Sequence, residues 1–186
     1  MMEKREKASN FLTILFFFLL IFVFLQFLAP LTQPTSSLSD LSGMTVFEDN
    51  EQYWSTMDHP WQDIYRIGDV LCHTKSTRSF YLNQNQIPFC ARCTAIWIGL
   101  TFGTLFLVFF RIKNQFLFFI GLITSISLLG VDGVGQLLDL WESTNLIRLM
   151  TGLLVGLFTG MAIGLIVDEL EIFKRGLHKN KKKKGK

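Results

Sequence analysis

Four long hydrophobic blocks without a charged residue constrain the fold of this chain more than any other feature. They cover residues 11–29, 94–110, 116–131 and 149–167. A helix of about 20 residues can cross a hydrocarbon core of roughly 30 Å, because each residue adds about 1.5 Å of rise. The blocks therefore predict an all-α integral membrane protein with four transmembrane helices and an extracytoplasmic loop between the first and the second.

The residues that flank the blocks set the expected segment boundaries. We expect a cytoplasmic basic amino terminus (1–10), transmembrane helices at 11–29, 93–111, 115–132 and 149–168, extracytoplasmic loops at 30–92 and 133–148, and a basic carboxyl-terminal tail (169–186). The second and third blocks are short, with 17 and 16 residues. Arg111 and Lys113, which separate them, are therefore expected to extend toward the lipid head groups.

The first block has a second interpretation as a cleaved signal peptide, since Lys4, Arg5 and Lys7 precede it. Its apolar stretch is longer than the core of a typical signal peptide, and no cleavage site of small residues follows Ala29. We therefore expect a retained membrane anchor.

The distribution of basic residues predicts the orientation in the membrane. With the amino terminus inside, the inside segments hold thirteen of the eighteen Lys and Arg residues. Short loops rich in Lys and Arg stay on the cytoplasmic side. We expect a multi-pass protein of the cell membrane with both termini in the cytoplasm.

The carboxyl-terminal Lys run, residues 179–186, could bind either nucleic acid or lipid. A basic run directly after a transmembrane helix is typical of contact with anionic head groups. The expected partners are therefore the lipid bilayer and its anionic head groups, and we expect no nucleic-acid partner. The oligomeric state is left open.

Two further patterns predict packing. Gly152, Gly156, Gly160 and Gly164 recur every fourth residue, so they share one helical face that lets a neighbouring helix approach closely. In the long exported loop, residues 32–50 are rich in Ser, Thr, Asp and Glu, which indicates a loosely packed linker. Residues 52–71 interleave aromatic and acidic side chains, as in an amphipathic helix at the membrane interface.

The three cysteines of the chain lie within 22 residues and suggest a metal site. Cys90 and Cys93 have the Cys-x-x-Cys spacing with which two thiolates bind one tetrahedral ion, and Cys72 and His73 complete a set of four ligands for zinc or another transition metal. Adjacent residues reach one ion only with a bent backbone, so His59 is an alternative fourth ligand.

Polar residues at three helix ends form the second candidate site. The predicted topology places Asp132, Gln136, Asn145 and Arg148 on the same side as the cysteines, and polar residues at the membrane rim indicate function. With Arg78 and Arg92 they are the candidate catalytic residues. In the alternative interpretation, Asp132 and Arg148 form a salt bridge that joins the third helix to the fourth.

These residues fall into motifs that recur in a fixed order: Cys72-His73, Arg78-Ser79-Phe80, Pro88-x-Cys90-Ala91-Arg92-Cys93-Thr94, Asp132-Gly133-x-x-Gln136, Ser143-x-Asn145 and Arg148-x-x-Thr151-Gly152. In them the chain resembles a family of small archaeal and bacterial predicted membrane proteins classed as a domain of unknown function. The resemblance covers roughly Leu71 to Gly160, about half the chain. Ala95 departs from the pattern, in which a glycine follows the threonine. The resemblance implies a site but no reaction.

Three functions remain open at this point. The first is a metal-binding site with a polar pocket that acts on a lipid or another membrane-borne substrate. The second is thiol–disulfide redox chemistry, since the chain resembles the four-helix quinone-linked disulfide oxidases in architecture and in a Cys-x-x-Cys at an outer helix start. The third is a scaffold without enzymatic activity, held by a structural metal or a disulfide. Whether the protein is an enzyme is not decided by the sequence.

Overall fold

The computed structural model describes residues 2–4, 9–44 and 46–184, and the side chains of 9–44, 46–170 and 173. In chain order the elements are β1 (Met2–Lys4), α1 (Asn10–Thr32), α2 (Glu51–Trp54), α3 (Trp61–Leu71), a 3-10 turn (Ser76–Arg78), β2 (Ser79–Leu82), β3 (Asn85–Cys90), α4 (Ala91–Phe109), β4 (Phe110–Ile112), α5 (Gln115–Leu137) and α6 (Asn145–Lys184). The side chains of the carboxyl-terminal Lys run, for which we predict lipid contact, lie outside the described side chains.

Four helices of the described chain are long and apolar enough to cross a membrane. They are α1, α4, α5 and the part of α6 from Asn145 to Leu170. The predicted fold class is thereby confirmed. Two of these helices extend beyond their hydrophobic blocks, because α5 continues through Gly133 to Leu137 and α6 begins at Asn145. The polar residues of the second candidate site therefore stand on helices.

Helices α4 and α6 pack closely through glycines from both sides. A Cβ atom added at Gly99 would lie 2.4 Å from the backbone oxygen of Leu153, and one added at Gly156 would lie 2.2 Å from that of Ile96. Such distances leave no space for a side chain. The glycine face predicted for α6 is thus the surface on which α4 packs.

Helices α1 and α5 lie at the two sides of this pair. Helix α1 contacts α4 through aromatic rings, with the Phe22 and Trp97 ring centroids 4.6 Å apart. Helix α5 contacts α6 through Phe118 and Phe158, whose ring centroids are 6.1 Å apart. Most of the apolar side chains of α1 and α5 remain exposed on the protein, as expected for helices whose outer faces contact lipid.

The segment between α1 and α4 folds over one end of the bundle and has its own hydrophobic core. Trp54, Ile64 and Tyr65 from the short helices pack on Leu38 and Leu41 of the segment that follows α1. All five are at most 5% exposed. The predicted amphipathic helix is divided here into α2 and α3, with a turn through Pro60 between them.

Residues 32–50, predicted to be a loose linker, are held in place by the β2–β3 hairpin. The Asn85 side chain accepts a hydrogen bond from the Leu38 amide at 3.0 Å and donates one to the Pro34 carbonyl at 2.9 Å. The Gln86 side chain accepts one from the Leu41 amide at 3.0 Å. Buried backbone groups require hydrogen-bond partners. In the linker, which has no regular secondary structure, the side-chain amides of Asn85 and Gln86 supply those partners.

Candidate metal centre and its cationic cavity

Close packing of α3 on β3 brings the first cysteine to the other two. A Cβ atom at Gly68 would lie 2.1 Å from the Pro88 carbonyl oxygen, so the absence of a side chain lets the strand touch the helix. Cys72 follows the last residue of α3 and lies beside the end of β3, where the Cys90 amide donates a hydrogen bond to the Cys72 sulfur at 3.4 Å. The contact between these two elements therefore positions Cys72.

The Cys-x-x-Cys motif lies at the start of α4. Cys90 is the residue before the helix and Cys93 lies in its first turn. The sulfur atoms of Cys72, Cys90 and Cys93 all lie within 4.8 Å of one another, and all three cysteines are free thiols. Tetrahedral zinc with Zn–S bonds of about 2.3 Å separates its sulfur ligands by roughly 3.8 Å. A small contraction of the cluster would therefore suffice to bind an ion.

The thiol cluster favours a thiolate at Cys90. Hydrogen bonds from the Cys72 and Cys93 thiols, and then from the Cys93 and Arg92 backbone amides, lower the pKa of Cys90 far below its ordinary value, and burial opposes them. The hydrogen bond that Cys72 gives to Cys90 raises the pKa of Cys72. The amino terminus of α4 adds a partial positive charge at the same place. The opposite shifts of the two pKa values favour a thiolate at Cys90 beside a protonated thiol at Cys72.

The two histidines considered as ligands lie apart from the sulfur cluster. His73 is exposed and lines the same cavity as the cysteines, but its ring is not part of the group of ligand atoms within 4.8 Å. His59 is exposed and forms a 2.8 Å contact with Asp63. Within the described residues, the cluster therefore offers three protein ligands and leaves a fourth tetrahedral position.

A cavity of about 510 Å³ adjoins the cysteines. Its lining combines the loop after α3, the start of α4, the end of α5 and the start of α6: Leu71, Cys72, His73, Lys75, Arg78, Cys90, Arg92, Cys93, Gly133, Gln136, Leu137, Asp139 and Arg148. The two candidate sites of the sequence thus share one cavity. Its volume falls in the range of small-molecule sites.

A chain of polar contacts crosses the wall of this cavity. Asp132, which is 6% exposed, forms an ion pair with Arg92. The Gln136 amide donates to the Asp132 carboxylate at 3.0 Å, and its oxygen accepts from Arg148 Nη2 at 3.0 Å. Arg148 Nη1 donates to Asn145 Oδ1, also at 3.0 Å.

This network differs from the direct Asp132–Arg148 salt bridge considered as an alternative. The ion-pair partner of Asp132 is Arg92, and Gln136 stands between Asp132 and Arg148. Asp132 and Asn145 do not line the cavity; they hold the arginines that do. The network joins α4, α5 and α6 at the end of the bundle that carries the cysteines, here called the cysteine end.

Three arginines on the cavity wall have a buried donor without a partner. The Nε atoms of Arg78, Arg92 and Arg148 are buried and donate no hydrogen bond to any of the described residues. Arg148 is only 4% exposed, and the Arg78 guanidinium makes no described hydrogen bond at all. Burying a charged donor without an acceptor is costly. Each of these Nε–H groups could donate a hydrogen bond to an acceptor that the described residues do not supply.

The cavity contains residues that were not identified from the sequence. Lys75 and Asp139 add charges to its wall, and Leu71 and Leu137 add exposed apolar side chains. Lys75 lies between the Cys72 and Arg78 motifs, so its position in that short loop was an available signal. Leu137 ends the extension of α5 beyond its hydrophobic block, and Asp139 lies in the turn that follows; composition alone reveals neither position.

Comparison with known proteins concerns this same region. The sequence profile of a family described as "Predicted membrane protein (DUF2085)" matches residues 72–164. An uncharacterised protein of Methanocaldococcus jannaschii is 33% identical over 99 residues, which are 50% of this chain and 61% of that protein. The match thus spans less than two thirds of that relative. An uncharacterised protein of Methanothermobacter thermautotrophicus is 34% identical over 95 residues, 50% of this chain and 82% of that protein. No solved structure matches the chain.

Proposed function

The chain belongs to this family of predicted membrane proteins, and from that premise we propose that its cysteine end binds a transition-metal ion, zinc by preference, beside a cavity for a membrane-borne substrate. The observation that carries the proposal is the convergence of Cys72, Cys90 and Cys93 within 4.8 Å at the wall of the cavity. Three ligands with a fourth position open to a cavity are typical of catalytic zinc sites.

The donor set favours zinc for chemical reasons. Thiolates are soft ligands that select zinc, copper(I) or iron, and the tetrahedral arrangement of sulfur ligands is typical of zinc. The thiolate at Cys90 supplies the first ligand, while Cys72 and Cys93 would release their protons as the ion binds. Metal binding should therefore weaken as the pH falls.

The surrounding side chains suggest how a substrate would be oriented. Arg92 and Arg148 are fixed by Asp132, Gln136 and Asn145, so their positive charges are held on the cavity wall beside the sulfurs. An ion held by the three cysteines would polarise a water or a substrate oxygen as its fourth ligand, which is the chemistry that zinc supplies. Orientation by the two arginines and activation by the metal would support reaction at a polar head group.

The proposed location is the outer face of the cell membrane. The excess of Lys and Arg in the segments at the opposite end of the bundle supports cytoplasmic termini, with the cysteine end outside. A basic carboxyl-terminal run of this kind is suited to anionic head groups on the cytoplasmic side.

Thiol–disulfide chemistry is the second candidate, and the contact between Cys72 and a Cys90 thiolate favours it. Oxidation of the Cys72 thiol and the Cys90 thiolate would form one S–S bond and pass two electrons and the Cys72 proton to an acceptor such as a membrane quinone, which would take its second proton from solvent. Cys93 would then remain as a third thiol without a partner among the cysteines of the chain. A group of three sulfurs within 4.8 Å of one another suits a metal ion better than it suits a disulfide, which uses two.

Elemental analysis of the protein purified in detergent tests the proposal. We expect about one zinc per chain, with thiols that react with an alkylating reagent only after treatment with a chelator. Substitution of Cys72, Cys90 or Cys93 by Ser should remove most of the metal, whereas His59→Ala is the matched control and should retain it. His73→Ala should also retain the ion if water occupies the fourth position.

Two results would contradict the metal site. Absence of metal with fewer than three reactive thiols would indicate a disulfide instead. Absence of metal with all three thiols reactive, and normal thermal stability, would favour a scaffold that uses the cysteines only for packing.

A further inference from the structure

We propose that the arginines of the cavity form a binding site for the phosphate group of a membrane amphiphile. The inference rests on the proposed function in that it names the class of substrate that the cavity would bind. Its evidence, however, comes from the arginines and not from the metal site. The residues that carry it are Arg78, Arg92 and Arg148, with Lys75 at the same wall.

The charges on the cavity wall are unbalanced in favour of cations. Lys75, Arg78, Arg92 and Arg148 line it together with His73, whereas Asp139 is the acidic residue of the lining. Asp132 lies behind Arg92 and is already engaged by it. Asp139 is exposed. Even with a thiolate at Cys90, positive charge remains in excess, and excess positive charge in a concave site attracts an anion.

The hydrogen-bonding state of the arginines points to the same ligand. Arg148 is more than nine-tenths buried and is fixed through its two terminal nitrogens, yet its Nε has no acceptor. Arg92 also keeps a buried Nε without a partner while another nitrogen binds Asp132. Arg78 contributes a guanidinium without a described hydrogen bond. Three guanidinium groups on one wall thus have donors that lack acceptors, and two of them, Arg92 and Arg148, are held in place by the chain.

A phosphate group fits these donors better than a carboxylate does. Arginine binds phosphate through parallel N–H groups, and a phosphate offers three or four oxygens to donors that approach from different sides. The arginines come from three separate places in the chain: the turn before β2, the first turn of α4 and the first turns of α6. A ligand that bridges them must accept hydrogen bonds from several directions.

The apolar part of the cavity supports an amphiphile as the source of the phosphate. Leu71 and Leu137 line the cavity and are 56% and 81% exposed. Leu138, Leu140 and Trp141 continue this apolar surface at the turn after α5, each at least 45% exposed. A phosphate in the cavity would therefore lie beside a surface suited to acyl chains at the edge of the membrane.

Binding measurements on the purified, chelator-treated full chain in detergent test this inference. The probes are inorganic phosphate, a short-chain phosphatidic acid and the matching short-chain diacylglycerol, which lacks the phosphate. We expect the phosphatidic acid to bind, with an affinity that falls as salt rises, and the diacylglycerol to bind at least about tenfold more weakly, the effect of losing one or two charge-assisted hydrogen bonds.

Variants identify the residues responsible. Arg78→Gln should weaken binding of the phosphatidic acid about tenfold, since one charged donor is lost. Arg148→Gln should do so as well, but it also cuts the contacts to Gln136 and Asn145, so Arg78→Gln is the decisive variant. Arg66→Gln is the matched control: Arg66 lies in the same segment, pairs with Glu48 at 2.9 Å and does not line the cavity. It should change the affinity less than twofold.

These measurements distinguish a free phosphate ion from a lipid head group as the ligand. They also distinguish the failure of the phosphate site from the failure of the metal site. Equal binding of inorganic phosphate and phosphatidic acid would support the phosphate site and assign it to a free ion, whereas binding of the lipid alone assigns it to a head group. Equal binding of phosphatidic acid and diacylglycerol, or equal affinity of Arg78→Gln and the unmodified chain, would overturn the inference even if zinc is present. Phosphate binding that depends on Arg78 in a chain without zinc would support it while the metal proposal fails.

Discussion

Two clusters of polar side chains among the described residues differ in whether the chain satisfies its own hydrogen-bonding groups. The first, here called the anchor cluster, consists of Asn50, Asp69, Asn85 and Gln86 between the linker and the hairpin. The second, here called the cavity cluster, consists of Arg78, Arg92, Asp132, Gln136 and Arg148. The four residues of the anchor cluster are buried, whereas in the cavity cluster Asp132 and Arg148 are buried and the other three are half-buried at the border of a large cavity.

The anchor cluster is complete within the chain. Asp69 accepts hydrogen bonds from the Asn50 amide at 2.9 Å, the Asn50 side chain at 2.7 Å and the Trp54 indole at 3.1 Å. Asn85 and Gln86 are fully buried, and both ends of each side-chain amide have partners. Such a cluster fixes one arrangement of the backbone and has nothing left to offer a ligand.

The cavity cluster leaves donors unused at its centre. The Nε atoms of three arginines lack acceptors, and three thiols face one another beside them. Asn85 and Gln86, a few residues before Cys90, pair both ends of their buried side-chain amides, whereas the buried Gln26 amide of α1, which does not line the cavity, has no partner among the described residues. For these two clusters, a complete set of hydrogen bonds within the chain indicates a structural role, and unpaired donors on the wall of a cavity indicate a ligand.

The largest expected effect is the loss of stability when the anchor cluster is broken. Asp69→Ala should lower the free energy of unfolding by about 3 kcal/mol, because it leaves the Asn50 amide and the Trp54 indole buried without an acceptor. Chemical unfolding in detergent measures the change. Asp63→Ala is the control, since Asp63 is exposed and its side chain pairs with the exposed His59. An unchanged stability of Asp69→Ala would end the structural interpretation of the anchor cluster.

A smaller loss is expected within the cavity cluster when its ion pair is neutralised. Asp132→Asn should cost about 2 kcal/mol of stability, because the partly buried Arg92 loses its counter-charge. The same change should strengthen binding of phosphatidic acid, since the cavity becomes more positive. Unfolding and binding measurements on the same variant test both expectations: a lower free energy of unfolding and a higher affinity for phosphatidic acid.

Asp139→Asn provides the matched control for this pair of effects. Asp139 is an exposed acid on the same wall. Its removal should strengthen phosphate binding without the loss of stability. Weaker phosphate binding in either variant would contradict the assignment of the cavity as an anion site.

A third change disturbs the cavity cluster without touching a polar group. An added Cβ at Gly152 would lie 2.5 Å from the Arg92 carbonyl oxygen, so Gly152→Ala should push α4 away from α6 where Arg92 separates Cys90 from Cys93. We expect a loss of roughly 1–2 kcal/mol from overpacking and a lower zinc content. Gly130→Ala, where nothing lies within 4 Å of the added carbon, should change neither. Equal zinc content in both variants would show that helix spacing does not control the site.

Much of the architecture was predictable because it depends on local composition. Hydrophobic blocks identify the membrane helices, and the glycine spacing identifies the closely packed face of α6, since both properties repeat along one helix. The Cys-x-x-Cys spacing likewise places Cys90 and Cys93 within one turn of each other without knowledge of the fold. Each of these features can be read within a few helical turns.

The pairing of individual residues could not be predicted because it depends on contacts between elements. Whether Asp132 meets Arg92 or Arg148 is decided by the rotation of α5 against α4 and α6, which no sequence pattern specifies. The burial of Asn85 and Gln86 depends on a linker whose polar composition suggested exposure. That His73 is not part of the cysteine cluster depends on the backbone of the loop after α3, which the adjacency of Cys72 and His73 in the sequence does not specify.

The smallest expected effect on stability is the most informative for the comparison. Without phosphate, Arg78→Gln should unfold at the same temperature as the unmodified chain or slightly higher, because Arg78 donates no described hydrogen bond and lies near the like charges of Arg92 and Arg148. With phosphatidic acid at about 100 times its Kd, the unmodified chain should gain about 2.7 kcal/mol by mass action, and the variant clearly less. Thermal unfolding with and without the lipid measures both. A lower unfolding temperature of Arg78→Gln without lipid would show that Arg78 has a structural role, like the residues of the anchor cluster. It would then give no support to a ligand in the cavity.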